Sequence, residues 1–420
     1  MRTLSAILLG KSIGLVSRKF NLGGGSAAPG LFALQIDPEL VERLSSKIPT
    51  NVIITGTNGK TTTSRLLSHF AKANGLRVIR NYTGSNMERG IASTLIQNHG
   101  SKFDLGVWEL DEATFTSVTP KLKPDMVIFL NVFRDQLDRY GEVDTVLAGW
   151  IETLKKLDKK TIVLVNGDDA NCTKLKSAFK GKVFQFGVKD FKIKGEAISH
   201  TKESENLDFE AKDVRLNGLK GSSFTLNTKR ISLPLPGIYH IYDALAAIGL
   251  GQKLGFSSEK MISSLKDFTP AFGRVEKLPF GYIFLIKNPA GATQVFQTIA
   301  PQIKPQDRLL LALNDNLADG TDVSWIWDAN FELLCHPERL AKDLKIYCSG
   351  TRAYDLALRL KYAGFNPKQM KVIPELKNAL REAKEGLKGT LFMLPTYTAM
   401  LELQGILTKS GIKNEYWREE

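Results

Sequence analysis

The sequence predicts an α/β protein of two lobes built on mostly parallel sheets, and three observations predict it. Short apolar runs with strand character alternate with helix-length segments over residues 52–165, and again over 282–394. In the first stretch each run ends in a polar cluster, which is where open parallel sheets bind ligands. Residues 51–64, N-V-I-I-T-G-T-N-G-K-T-T-T-S, join a buried strand over 52–55 to a helix beginning near Lys60 through a glycine turn.

That turn is a phosphate cradle. Gly56 and Gly59 let backbone N–H groups converge on an anion around Thr57 and Asn58, and the helix N-terminus adds its positive end. Lys60 supplies a mobile charge for the β- and γ-phosphates, and Thr61 or Thr62 places a hydroxyl on Mg²⁺. The loop is the shorter G-x-x-G-K-T-T form, because Ile54 stands where the common pattern has its first glycine. A strand–helix turn with a capping threonine would need some of these residues; strand, glycines, lysine and hydroxyl together point to nucleotide binding.

Composition sets the bounds. A chain of 420 residues with 43% apolar residues makes two or three packed domains. The net charge of +13 favours an anionic partner, but no block of six basic residues occurs, so charge alone does not choose among nucleic acid, phospholipid and phosphorylated or polycarboxylate substrates. Cys172, Cys335 and Cys348 are too few and too scattered for a disulfide framework or a cysteine zinc site, and suit a reducing, cytoplasmic compartment. Residues 1–16 superficially resemble a signal peptide, yet Gly10-Lys11 interrupts the apolar run. An amphipathic basic helix fits better, packed on the body in preference to a membrane surface.

In chain order, residues 1–36 are expected to be this helix and a loop, with the loop over 23–30. Asp37 and Pro38 then cap and open a helix to about residue 46. After the phosphate strand and helix come a strand over 77–80, a helix over 86–97, and strands over 105–110, 126–130 and 162–165. These deliver Glu109, the cluster 131–140 and Asn166 to Asp169. Residues 183–232 change to short alternating runs and read as an antiparallel β insertion or extension. A helix carrying His240, Tyr242 and Asp243 follows, and residues 268–276 (F-T-P-A-F-G-R-V-E) are the candidate hinge. Strands over 282–286, 308–313, 344–348 and 390–394 build the second lobe.

Glu109, at a strand end beside the loop, is suited to hold Mg²⁺ with Thr61; alone it could equally cap a turn or form a salt bridge. Arg274 in the hinge could reach phosphates on closure, or merely pair with Glu276. Residues 314–328 carry far more acid and amide side chains than a connecting turn needs, Asp322 among them.

With T-G-T-N-G-K-T-T at 55–62, E-L-D-E at 109–112, N-V-F-R-D-Q-L-D-R-Y-G-E at 131–142, G-R-V-E at 273–276, K-N-P-A-G at 287–291, N-D-N-L-A-D-G-T-D-V-S-W at 314–325 and S-G-T-R-A at 349–353, the chain resembles the Mur ligase family. The likeness spans roughly residues 50 to 400, and the stretch 314–325 points to the branch that amidates lipid II. It implies a P-loop-type central ATP-binding domain over 37–270, with 183–232 as its insertion, and a Rossmann-like C-terminal domain over 271–420. The implied reaction amidates the D-glutamate α-carboxylate of the lipid II stem peptide through an acyl phosphate. Ammonia would come from a GatD-like glutaminase subunit in a heterodimer, whose Cys/His pair Asp322 would complete. Lipid II implies work at the inner face of the membrane, and nucleic acid is not an expected partner. The chain departs from the family pattern in three places: the insertion lacks the four zinc cysteines of many relatives, Gln136 replaces a metal-binding His, and His240 and Asp243 replace two asparagines. Asp243 could still accept from the adenine amino group. The rival readings are a Mur-like or folylpolyglutamate-like amino-acid ligase and a non-catalytic ATP-responsive scaffold.

Overall fold

The computed structural model describes residues 2–19, 27–81, 85–133, 143–189, 206–269, 275–335 and 344–413. Among these the first lobe is a nine-stranded sheet in the order β2-β3-β1-β4-β5-β6-β7-β8-β9. Its strands are β1 (Thr50–Thr55), β2 (Val78–Arg80), β3 (Leu105–Leu110), β4 (Met126–Phe129), β5 (Ile162–Asn166), β6 (Lys182–Val188), β7 (Phe209–Leu216), β8 (Ser222–Leu226) and β9 (Lys229–Leu233). Every pairing is parallel except β7–β8 and β8–β9. Its helices are α1 (Arg2–Lys19), α2 (Ala28–Ile36), α3 (Leu40–Ser45), α4 (Lys60–Ala73), α5 (Glu88–Gln97), α6 (Glu112–Leu122), α7 (Val143–Lys156), α8 (Ala170–Lys174), α9 (Ile238–Lys253) and α10 (Ser258–Ser264).

β1 lies between β3 and β4, and its side chains alternate between two cores. Val52 and Ile54 pack with Leu66, Phe70 and Leu245 on one face. Ile53 packs with Trp108, Phe129 and Trp150 on the other. Helices cover both faces, so the strand reads as one unbroken apolar run.

The second lobe is a six-stranded sheet in the order β10-β11-β15-β12-β13-β14, parallel except for the β10–β11 hairpin. These strands are β10 (Glu276–Leu278), β11 (Gly281–Ile283), β12 (Arg308–Ala312), β13 (Lys345–Ser349), β14 (Met370–Val372) and β15 (Leu391–Pro395). Its helices are α11 (Pro289–Ile299), α12 (Ala353–Tyr362), α13 (Leu376–Lys384) and α14 (Tyr397–Lys409).

Three expectations need correcting. Residues 183–232 extend the first sheet and are not antiparallel throughout: among the described residues β6 pairs parallel with β5 and β7 with β6, and only β8 and β9 reverse. Alternating polar residues there mark the sheet's edge, where one face meets water. Residues 28–30 are helical: α2 starts with Pro29 in its first turn, where a missing N–H costs nothing. Finally, α3 starts at Leu40, since Asp37 accepts the Glu39 N–H (3.2 Å) in a preceding turn.

Asp37 is buried, and it also accepts from the Thr3 hydroxyl at 2.7 Å, which ties α1 to the body. α2 crosses α5 closely at Gly30, whose N–H donates to Ser93 Oγ at 2.8 Å. A Cβ there would stand 1.9 Å from the Arg89 carbonyl oxygen. Gly30→Ala is therefore expected to force the helices apart and lower stability by about 1–3 kcal/mol, read from the urea midpoint.

Candidate active site

The chain leaves β1 and turns through residues 56–59 into α4. Gly56 and Gly59 have φ of +138° and +90°, conformations that side chains rarely adopt. Space forbids a side chain as well: a Cβ on Gly59 would lie 2.2 Å from Asp243 Oδ1. Asn131, just past β4, splints the loop. Its side-chain oxygen accepts the Asn58 N–H (2.8 Å), its amide donates to Asn58 O (3.0 Å), and its backbone oxygen accepts the Thr57 N–H (3.1 Å). With those two N–H groups committed, the donors left to face an anion are the Gly59 N–H and those of the first turn of α4.

Lys60 opens that turn. It is buried, donates to the carbonyls of Gly56 and Thr57, and lies 3.5 Å from Asp111 and 3.7 Å from Glu112. The E-L-D-E run thus holds the lysine's charge at the loop.

Thr61, not Thr62, faces the expected metal ligand. Its hydroxyl donates to Glu109 Oε2 at 2.8 Å, while Thr62 is buried beside it. Ser64, one turn on, donates to Glu109 Oε1 at 2.6 Å. Asn81 grips the Glu109 backbone on both sides, accepting its N–H (2.8 Å) and donating to its oxygen (2.9 Å). Glu109 is a buried carboxylate that meets two hydroxyls, a hard-oxygen donor set of the kind Mg²⁺ takes. Ser64 escaped sequence reasoning, because a serine one helical turn beyond a phosphate loop looks like any N-terminal helix residue.

The second lobe reaches this loop. Asn58 and Asn288 exchange amide hydrogen bonds at 3.2 and 3.0 Å, and Lys287 Nζ donates to Thr57 O at 3.4 Å. Asn288 is buried and also caps α11 by accepting the Gly291 N–H at 2.8 Å. In the sequence, Asn288-Pro289 signals a helix start; that the capping residue faces another lobe is invisible there. Both residues join the site.

Other polar clusters turn out to be pins. Asp169 caps α8 through the N–H groups of Asn171 and Cys172 and accepts from Val132 (3.2 Å); burial pushes its carboxyl up to about 6. Asp168 accepts from Tyr242 Oη and the Val188 N–H, both at 2.7 Å, and burial raises its pKa too. Asp243 is buried against Gly59, and His240 Nδ1 lies 2.7 Å from Pro236 O.

Asp322 lies in the second lobe, beyond β12. It accepts from the Ser324 N–H (2.8 Å) and hydroxyl (2.9 Å). Its loop is pinned: Asp319 accepts the Thr398 N–H at 2.8 Å, and Asn314 bonds Thr396, Thr398 and Thr351. Arg274 and Gln136 lie outside the described residues.

Residues 54–251 match the Mur ligase middle domain, and residues 285–400 match the MurT ligase C-terminal domain. Over 98% of its length the chain is 31% identical to the lipid II isoglutaminyl synthase (glutamine-hydrolyzing) subunit MurT of Staphylococcus aureus (strain COL), covering 99% of that protein. The chain belongs to the Mur ligase family. It is likewise 30% identical to the MurT subunit of Streptococcus pneumoniae (strain ATCC BAA-255 / R6), with 98% of both chains covered. Solved Mur ligase folds superpose on it. MurF from Acinetobacter baumannii gives a TM-score of 0.70 at 18% identity, covering 91% of this chain and 80% of that one. Folylpolyglutamate synthase of Mycobacterium tuberculosis gives 0.66 at 14%, covering 93% and 96%. As a Mur ligase the chain is an ATP-dependent ligase, and the two-lobed α/β architecture is the family's.

Proposed function

We propose that this chain is the ATP-using synthetase subunit of a lipid II-amidating pair. The D-glutamate α-carboxylate of the stem peptide attacks the γ-phosphorus of ATP, releasing ADP and leaving an acyl phosphate. Ammonia then attacks the acyl carbon, phosphate departs, and the lost proton passes to solvent, giving D-isoglutamine. One observation carries this reading: the segment resembling the MurT C-terminal domain includes Lys287 and Asn288, the residues that close on the phosphate loop.

Within this scheme the first turn of α4 and Lys60 orient the phosphates, and Thr61 and Glu109 would hold Mg²⁺. When bound, that ion neutralises charge on the β- and γ-phosphate oxygens. The Asn58–Asn288 pair keeps the second lobe over the loop and limits water at the acyl phosphate. Arg274 adds charge across the hinge, and Asp243 borders the nucleotide site. Domain limits at 37–270 and 271–420 belong to the same proposal.

The glutaminase partner is supported by exposed aromatic residues in the lobe that carries Asp322. Trp327, five residues after Asp322 in the chain, is exposed and meets the exposed Tyr362 edge-on at 5.7 Å. An exposed aromatic pair of this kind suits a protein interface. Asp322, held by Ser324 beside it, would orient the partner's histidine.

The deciding assay gives the purified chain ATP and lipid II with either ammonium or free amino acids. The expected product is lipid II with one carboxylate turned into a carboxamide, formed with ammonium alone. A product heavier by an amino-acid residue would install the ligase reading instead. No ADP release under any combination would favour the scaffold.

A further inference from the structure

We propose that the α1–α2 hairpin is a docking face for an anionic bilayer surface. The sequence favours burial of α1's apolar stripe against the body, but α1 buries its small side instead. Ala6, Ile7, Gly10 and Gly14 face inward, and a Cβ on Gly10 would crowd Ile96 at 2.8 Å and the Pro29 carbonyl at 3.2 Å. The large residues point outward: Leu4, Leu8 and Leu15 are 58%, 59% and 65% exposed, and Val16 is 52% exposed. At about 100° per residue the three leucines fall within about 40° of one another on the helix. α2 adds Leu31 and Phe32, also exposed.

Charge selects the occupant. Residues 1–36 contain Arg2, Lys11, Arg18 and Lys19 and no Asp or Glu. A second protein would be expected to need polar partners for its rim, whereas lipid tails accept bare leucines, and Lys11, which at about 100° per residue falls on the same side of α1 as Leu4, Leu8 and Leu15, suits an anionic headgroup. No described helix is long and apolar enough to cross a membrane, so the hairpin lies on the surface. It is also held fixed on the body, by Thr3 on Asp37 and by Gly30 on Ser93. A bilayer held by α1 and α2 is therefore held in one orientation relative to the phosphate loop. This deepens the proposed reading, since it says how a chain acting on a lipid-linked substrate meets the membrane, but its test uses none of that substrate.

The full chain is sedimented with vesicles of phosphatidylglycerol mixed with phosphatidylcholine, or of phosphatidylcholine alone. Binding is expected to the anionic vesicles only, to weaken with salt, and to fall about tenfold or more in the triple variant Leu4→Gln, Leu8→Gln, Leu15→Gln. Undiminished binding by that variant, equal binding to neutral vesicles, or no binding by the parent overturns the proposal. So does a concentration-dependent dimer that the variant abolishes, which would make a second copy the occupant. If the triple variant does not fold, Leu8→Trp replaces it; the emission it adds to that of the parent's five tryptophans must be quenched by brominated lipid, and quenching no greater than the parent's overturns the assignment. ADP release assayed separately keeps failure here distinct from failure of the amidation scheme.

Discussion

Lys60→Ala is expected to lower ATP-dependent turnover by about 10³-fold, measured as ADP release with substrate and ammonium present. Two effects must be separated. Lys60 is the cation placed at the phosphate loop, and it also lies beside Asp111 and Glu112. Glu112 is buried, and its Oε1 accepts no hydrogen bond among the described residues. Removing the lysine should therefore also lower stability, by about 1–3 kcal/mol. Lys60→Arg discriminates: its charge should restore most of the melting temperature, while the larger guanidinium fails to restore turnover. The upward shift of melting temperature by ATP should shrink in the alanine variant. Full turnover by Lys60→Ala would refute the assignment of the loop.

Asp322→Asn should cut glutamine-driven amidation by about 10²-fold or more while leaving the ammonium-driven reaction within about twofold. The substitution is nearly isosteric, and the asparagine oxygen can still accept the Ser324 N–H that Asp322 holds at 2.8 Å. Loop shape is thus retained and only the charge is lost. That charge matters for holding a partner's histidine in its working tautomer; it has no part in phosphate chemistry on the other lobe. Both reactions would be followed by product mass in the presence of the glutaminase subunit. Equal loss with both nitrogen sources would reject the partner-site role and make Asp322 a purely structural cap.

Much of the first lobe was legible because its signals are local. Strand β3 falls on the expected residues, and α4 begins at the expected lysine, since alternating apolar runs and a glycine turn act within a few residues. Glu109 was legible for the same reason: a strand end beside β1 lies beside the loop that β1 feeds. The edge of the sheet was misread. Short polar-alternating strands look antiparallel whether they extend a parallel sheet or stand apart, and only the pairing of β6 and β7 resolves this.

The sequence by itself determined the strand, glycine turn and helix around Lys60 and the run of strands from β1 to β5, and it offered Thr61 and Glu109 as residue types suited to Mg²⁺. The folded chain alone decided that Asn131 spends the loop's first N–H groups, that Asn288 meets Asn58 from 230 residues away, and that α1 turns its leucines to solvent. The physical reason is range. Backbone dihedrals and apolar periodicity are written in neighbouring residues, whereas an amide pair between lobes or a helix's choice of face depends on which distant surface supplies the better fit.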